Sequence, residues 1–159
     1  MSEESKSIRV IGIGNPDRGD DAVGREVVIQ ARDQLPEQVS VLEHSGEVSG
    51  LMDCMEGAEI LYLVDAAAMG LEPGSVRLFD ASTKPLPALR GALSSHAMGL
   101  SEAVELARSL DMLPPVCKVL AVEAATFEAG HPLSQPVAQA VPEVVRKLVA
   151  VIGKEAQHA

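Results

Sequence analysis

Residues 8–24, IRVIGIGNPDRGDDAVG, are the segment that most constrains the fold. The β-branched run that ends at Ile13 predicts a buried strand. Gly12 and Gly14 allow a sharp turn or a close approach of another group to the backbone. Residues 15–19, NPDRG, are typical of a turn, and apolar residues then recur at helical spacing from Val23 onward. The segment therefore predicts a strand, a glycine-rich loop and a helix.

The loop carries two carboxylates, Asp20 and Asp21, at the predicted start of the helix. A dinucleotide-binding loop needs a third glycine where Asp17 stands, and the two carboxylates would repel a pyrophosphate. Carboxylates at a strand's end suit a metal ion or another cation better. We interpret Asp20 as a helix N-cap and dipole partner. For Asp21 the same structural role and a metal-ligand role stay open.

Composition limits the class of protein. A chain of 159 residues is the size of one domain, and we expect a disordered tail over residues 1–7, one domain over 8–153 and a polar tail over 154–159. A net charge of −10 argues against nucleic acid and anionic membranes as partners. There is no apolar run of membrane-spanning length and no signal-peptide pattern. We therefore expect a cytoplasmic monomer, with Cys54 and Cys117 as buried free thiols.

Strand and helix patterns alternate along the chain. The clearest buried strands are residues 60–64, ILYLV, and 116–122, VCKVLAV, with shorter candidates at 39–43 and, as an edge strand, 75–79. Helices are predicted at 50–55, from 94–96 with an apolar face ending at Leu110, and over 137–152 with a kink or start at Pro142. This order predicts an α/β fold with a mostly parallel sheet of about five strands, covered on both faces.

In such folds functional groups gather beyond the carboxyl ends of the strands. Asp21 follows the first strand, Asp65 follows ILYLV, and His96 opens the helix before the last strand. A carboxylate beside a buried strand must be hydrogen-bonded, paired or metal-bound, so Asp65 is either a structural acceptor or a ligand. A histidine at a helix start is disposed to be neutral, the form that binds metals. These residues are the predicted metal site.

Other polar residues near this edge are weaker candidates. We expect His44 and His131 to be structural or solvent-exposed, and Glu123 to make a salt bridge or a loop hydrogen bond. Two oxygen ligands and one nitrogen ligand leave coordination positions open. No nucleophile is paired with a base, since Ser95 is adjacent in sequence to His96 and poorly placed to be activated by it.

Four segments in order, GIGNPDRGDDAVG, LVDAAAMG, SSHAMGL and VEAATFEAG…LSQPVAQAVPEVV, resemble the hydrogenase maturation proteases. The resemblance runs over about residues 8–152 and implies a single α/β/α sandwich around a twisted sheet. It implies that Asp21, Asp65 and His96 bind metal, and it leaves open whether these residues carry out the hydrolysis or only recognise the metal. Ala124 and Pro132 depart from the residues common in the family, which bears on the shape of the last loop.

The resemblance also implies a function. Members of this family cleave a C-terminal extension from the precursor of the NiFe hydrogenase large subunit after nickel has been inserted, and that nickel is the recognition element. The expected partner is therefore this precursor, which supplies the nickel, and another divalent ion can occupy the site in isolation. The alternative is a non-catalytic checkpoint or chaperone that senses loaded nickel.

Overall fold

The structure is a computed structural model that describes residues 6–87 and 99–158. Its strands are β1 (Ile8–Ile13), β2 (Val39–His44), β3 (Ile60–Ala67), β4 (Val76–Asp80) and β5 (Val116–Glu123). Its α-helices are α1 (Val23–Ala31), α2 (Val48–Met55), α3 (Leu100–Ser109) and α4 (Gln135–His158). Short 3-10 turns, Gly19–Ala22 and Arg32–Gln34, stand before and after α1.

The strands of the described residues form one sheet in the order β2-β1-β3-β5-β4. The pairings β1–β2, β1–β3 and β3–β5 are parallel, and β4 runs antiparallel along the outer edge of β5. The most apolar strands, β1 and β3, lie inside the sheet and are buried on both faces, as parallel strands usually are. The predicted mostly parallel sheet and its edge strand are confirmed.

Two apolar cores lie on opposite faces of the sheet. One joins α1 and α4 to the sheet, with Val27, Val28, Val141 and Leu148 fully or almost fully buried. The other joins α2 and α3 to the opposite face through residues such as Leu51 and Val104. Each large apolar side chain buried this way contributes about 1.5–3 kcal/mol. The predicted three-layer α/β/α sandwich is therefore confirmed.

Helix α1 approaches the sheet at a glycine. A Cβ atom on Gly24 would lie 2.6 Å from the Ile13 carbonyl oxygen and closer still to that of Val64. No larger residue fits, because both obstacles are backbone atoms, one at the carboxyl end of β1 and one within β3. This contact seats the start of α1, and the turn before it, directly on that edge of the sheet.

Two predicted boundaries near the site are wrong. Strand β3 does not end at Asp65, because residues 65–67 continue the ladder with Ala121–Glu123 of β5. Helix α3 begins at Leu100, because Gly99 before it has extended backbone, and the predicted start at 94–96 lies outside the described residues. Leu110 is 56% exposed, since the helix has already ended at Ser109 and the residue no longer lies on its apolar face.

The chain ends also differ from the prediction. Helix α4 begins at Gln135 and runs through Pro142, whose exposed position lets water satisfy the carbonyl that proline leaves unpaired. It continues to His158, so residues 154–158 are helical and not a tail. Ser7 is tied to the sheet, since its carbonyl accepts hydrogen bonds from the Glu59 and Ile60 amides. Within the described ranges, none of the helices combines the length and apolar character needed to cross a membrane.

The close approach at Gly24 makes a stability prediction. Gly24→Ala should lower the free energy of unfolding by at least about 2 kcal/mol, because the methyl group overlaps two backbone carbonyls. Gly153→Ala in α4 is the matched control, since its Cβ meets nothing within 4 Å. That change should raise stability by about 0.5–1 kcal/mol through helix propensity. Urea unfolding of both variants measures the difference, and equal stabilities would contradict the packing argument.

The two thiols should react at different rates. Both cysteines are free, Cys117 is fully buried and Cys54 is half-buried, so the prediction of buried thiols is right for Cys117 alone. Burial raises the pKa of Cys117 to about 12. Its thiolate fraction near neutral pH is about a thousandfold below that of an ordinary thiol. Mass spectrometry after brief iodoacetamide treatment should find Cys54 alkylated and Cys117 protected, with both labelled in urea. Equal labelling of the folded protein would count against the buried position.

Candidate functional site

Asp21 stands on the 3-10 turn at the carboxyl end of β1. Its Oδ2 accepts a hydrogen bond from the Asn15 amide at 2.8 Å, and its own amide donates to the Arg18 carbonyl at 3.1 Å. The turn packs closely against Gly14, which has φ +146°. A side chain at that position would collide with the Asp21 carbonyl, so glycine is required. The side chain is 9% exposed, so the turn holds a nearly buried carboxylate at the edge of the sheet.

Asp65 lies on the neighbouring strand β3 and is part of the ladder, opposite Ala121 of β5. Its Oδ1 accepts a hydrogen bond from the Ala66 amide at 2.8 Å. Burial, and next the charge of Asp21, raise the pKa of Asp65 well above its usual range. The two carboxylates thus lie close together and repel each other. Such a pair is suited to bind a cation, which removes the repulsion.

The structure does not test the third member of the predicted site, because His96 lies outside the described residues. Asp21 and Asp65 come together as the rule of strand ends predicts, while their binding of a metal stays a prediction. Over residues 6–87 and 99–158, no group of three or more His, Cys, Asp or Glu side chains is arranged to hold an ion. The described half of the site is therefore a pair of carboxylates.

The interpretation of Asp20 as a helix cap is wrong. The turn it occupies has no side-chain cap hydrogen bond, and Asp20 is completely buried. Its carboxylate accepts four hydrogen bonds from beyond β5: from the amides of Ala125 (2.7 Å), Thr126 (3.1 Å) and Ser134 (2.7 Å) and from the Ser134 hydroxyl (2.8 Å). Asp20 anchors a distant loop, and no local sequence signal indicates this because its partners are over 100 positions away.

The weaker candidates have structural roles in the described residues. His44 ends β2, where its Nδ1 accepts a hydrogen bond from the Gly46 amide at 2.8 Å. His131 is exposed and its Nε2 lies 3.0 Å from the Glu128 carboxylate. Glu123, 5% exposed, accepts a hydrogen bond from the Met69 amide at 2.7 Å, which is the predicted loop hydrogen bond.

Solved structures share this fold. The hydrogenase maturating endopeptidase HybD from E. coli matches with a TM-score of 0.75 at 20% identity, over 92% of each chain. A NiFe hydrogenase maturation protease HybD from Thermococcus kodakarensis matches with a TM-score of 0.69 at 21% identity, over 91% of this chain and 98% of that one. This chain therefore shares the α/β fold of these two solved structures.

Sequence comparison shows the family. The family model described as hydrogenase maturation protease matches residues 27–151. The hydrogenase expression/formation protein HupD of Bradyrhizobium diazoefficiens is 30% identical over 141 residues, 86% of this chain and 72% of the relative. The coenzyme F420 hydrogenase subunit delta of Methanothermobacter thermautotrophicus is 26% identical over 92% of this chain and 94% of its own length. The chain belongs to the hydrogenase maturation protease family and is a peptidase.

The raised pKa of Asp65 predicts that its ionised carboxylate lowers the stability of the folded protein at neutral pH. When folding raises the pKa of a carboxyl group, the folded state favours the protonated form of that group over the ionised form. The group therefore contributes to the stability of the protein at low pH. That contribution is complete below the ordinary value of 3.8 and is lost as the pH rises through the folded pKa. Asp65→Asn stays neutral and can keep the bond from Ala66, so it should be more stable than the parent at neutral pH.

Thermal unfolding in the presence of a chelator tests this prediction. The advantage of Asp65→Asn should shrink as the pH falls towards about 4, where the parent carboxyl is also protonated. Asp53→Asn, on the exposed side of α2, removes the same charge and should show no such trend. A pH-independent difference between Asp65→Asn and the parent would contradict the repulsion inferred between Asp21 and Asp65.

Proposed function

We propose that this chain is the endopeptidase that removes the C-terminal extension of a NiFe hydrogenase large-subunit precursor after nickel insertion, and that it recognises the nickel held by that precursor. The observation that carries the proposal is the pair formed by Asp21, on the turn after β1, and Asp65, on β3, whose charges repel each other. Membership of the maturation protease family gives the reaction class. The carboxylate pair gives the reason for a cation in the substrate.

The donor set fits a metal brought by another protein. Carboxylates leave several coordination positions free for ligands from the substrate. Asp65 is fixed by the β3–β5 ladder and Asp21 by its bond from Asn15, so both oxygens are positioned before the substrate arrives. We propose His96 as the third ligand, on the resemblance alone. In isolation the same residues would bind nickel or another divalent ion weakly.

The residues of this chain orient the substrate. By holding the precursor's nickel, Asp21 and Asp65 would fix the adjoining peptide at the edge of the sheet and convert a loose encounter into an ordered one. A nickel ion bound there supplies Lewis-acid polarisation of a nearby carbonyl. Because like charges repel, a cation brought by the precursor would stabilise the pair, so the site would favour the loaded precursor over the unloaded one.

We also propose that the protein acts in the cytoplasm as a monomer until it meets its precursor. Two free thiols are typical of a reducing compartment. The net charge of −10 disfavours nucleic acid and anionic membranes as partners. A non-catalytic nickel checkpoint is the second candidate, since the same carboxylate pair could sense a metal without cleaving a peptide.

Cleavage of the precursor tests the proposal. The parent protein should cleave nickel-loaded precursor and leave nickel-free precursor intact. Asp65→Ala and His96→Ala should lose at least roughly 100-fold in rate, because each removes a ligand. Asp21→Glu should keep part of the activity, since it retains a carboxylate with longer reach. Asp53→Ala, which removes an exposed carboxylate from α2, should behave as the parent.

The outcomes separate the two candidates. Mass spectrometry of the released C-terminal peptide reports cleavage, and co-purification reports binding. Nickel-dependent binding without any released peptide would favour the checkpoint. Efficient cleavage of folded, chelator-treated precursor would overturn nickel recognition while leaving the peptidase assignment intact. Parent-like cleavage by His96→Ala would remove His96 from the site.

A further inference from the structure

Seven hydrogen bonds attach the loop after β5, residues 124–134, to the segment between β1 and α1. Four of them end on the Asp20 carboxylate, as described above. Three more join the backbones directly: Gly19 to the His131 carbonyl (2.9 Å), Asp20 to the Thr126 carbonyl (2.9 Å) and Gly130 to the Asp17 carbonyl (2.7 Å). These hydrogen bonds hold the loop against the segment that leads into α1.

Asp20 and Asp21 are adjacent in sequence, but their carboxylates contact different parts of the protein. Successive residues of a 3-10 turn point about 120° apart, so the two carboxylates cannot face the same partner. Asp20 is bound to the loop, and Asp21 is bound to the Asn15 amide at the edge of the sheet. Any shift of the turn that breaks the Asp20 contacts also displaces Asp21 relative to Asp65.

The loop is placed beside the carboxylate pair. It leaves the sheet at the carboxyl end of β5, the strand paired with β3 at Asp65. Its outer side is exposed at Ala125, Glu128 and Ala129. A peptide held near Asp21 and Asp65 would therefore lie against this loop.

We propose that Asp20 is a positioning residue: by anchoring the 124–134 loop to the turn that carries Asp21, it builds one wall of the peptide site and fixes Asp21 opposite Asp65. This inference rests on the proposed function, because it takes the carboxylate pair as the place where the precursor binds. Asp20 itself touches neither metal nor substrate. Its carboxylate accepts its four hydrogen bonds from residues of the 124–134 loop.

Glu123 provides a matched control. It is another nearly buried carboxylate at the same edge, and it anchors a different loop by accepting a hydrogen bond from Met69. Glu123→Gln should cost stability as Asp20→Asn does, without loosening the turn that carries Asp21. Ser134→Ala is a milder variant, since it removes one of the four donors to Asp20 and leaves the amides in place.

Hydrogen–deuterium exchange and cleavage kinetics on the full chain test the inference together. Asp20→Asn should accelerate exchange of the 125–134 amides and lower kcat for nickel-loaded precursor at least roughly 10-fold, with a smaller change in KM. Ser134→Ala should move both readouts in the same direction by less, and Ser134→Thr should restore them by returning the hydroxyl. Glu123→Gln should lower the Tm and leave kcat and exchange over 125–134 at parent values.

The outcomes are distinct from those for the proposed function. Failure of the parent to cleave loaded precursor would overturn the proposed function and this inference with it. A parent that cleaves, beside an Asp20→Asn variant that exchanges faster over 125–134 and cleaves at the parent rate, would overturn the inference alone. If Asp20→Asn does not fold, Ser134→Ala decides: parent-like kcat despite faster exchange counts against the positioning role, and a lowered kcat restored by Ser134→Thr supports it.

Discussion

The close approach of Gly24 to the backbone carbonyls of Ile13 in β1 and Val64 in β3 is the constraint on which the rest of the site depends. It brings the start of α1 closer to the sheet than any side chain would allow. The turn before the helix is thereby held against the end of β1 and the neighbouring part of β3. Asp21 reaches the neighbourhood of Asp65 because of this packing, since the two residues are 44 positions apart and belong to different elements.

Three buried or nearly buried carboxylates, those of Asp20, Asp21 and Glu123, lie at this edge of the sheet, and their surroundings give them different roles. Asp20 and Glu123 accept hydrogen bonds from loop amides, so their charges are compensated by N–H dipoles. Asp21 also accepts a hydrogen bond, from the Asn15 amide, and it lies beside Asp65, whose pKa it raises. Asp20 and Glu123 hold loops in place, whereas the like charges of Asp21 and Asp65 lie close together, an arrangement that favours chemistry with a cation.

The sequence predicts the layers well, because strands such as β3 and helices such as α4 bury continuous apolar faces. It also predicts that Asp21 and Asp65 share one edge, since the rule of strand ends needs only the element order. It fails for Asp20, whose donors are distant in sequence and carry no pattern of their own. It misplaces the start of α3, because Gly99 has extended backbone and its amide donates a hydrogen bond to the Glu102 side chain, so that the helix begins at Leu100.

The anchoring of the 124–134 loop has a consequence for evolution. Three of the four donors to Asp20 are backbone amides, which every residue except proline supplies. The exposed residues between Thr126 and Ser134 can therefore change without loss of these anchors. A protein with this arrangement can change the exposed surface of the loop through a few substitutions, while Asp21, Asp65 and the sheet beneath them stay as they are.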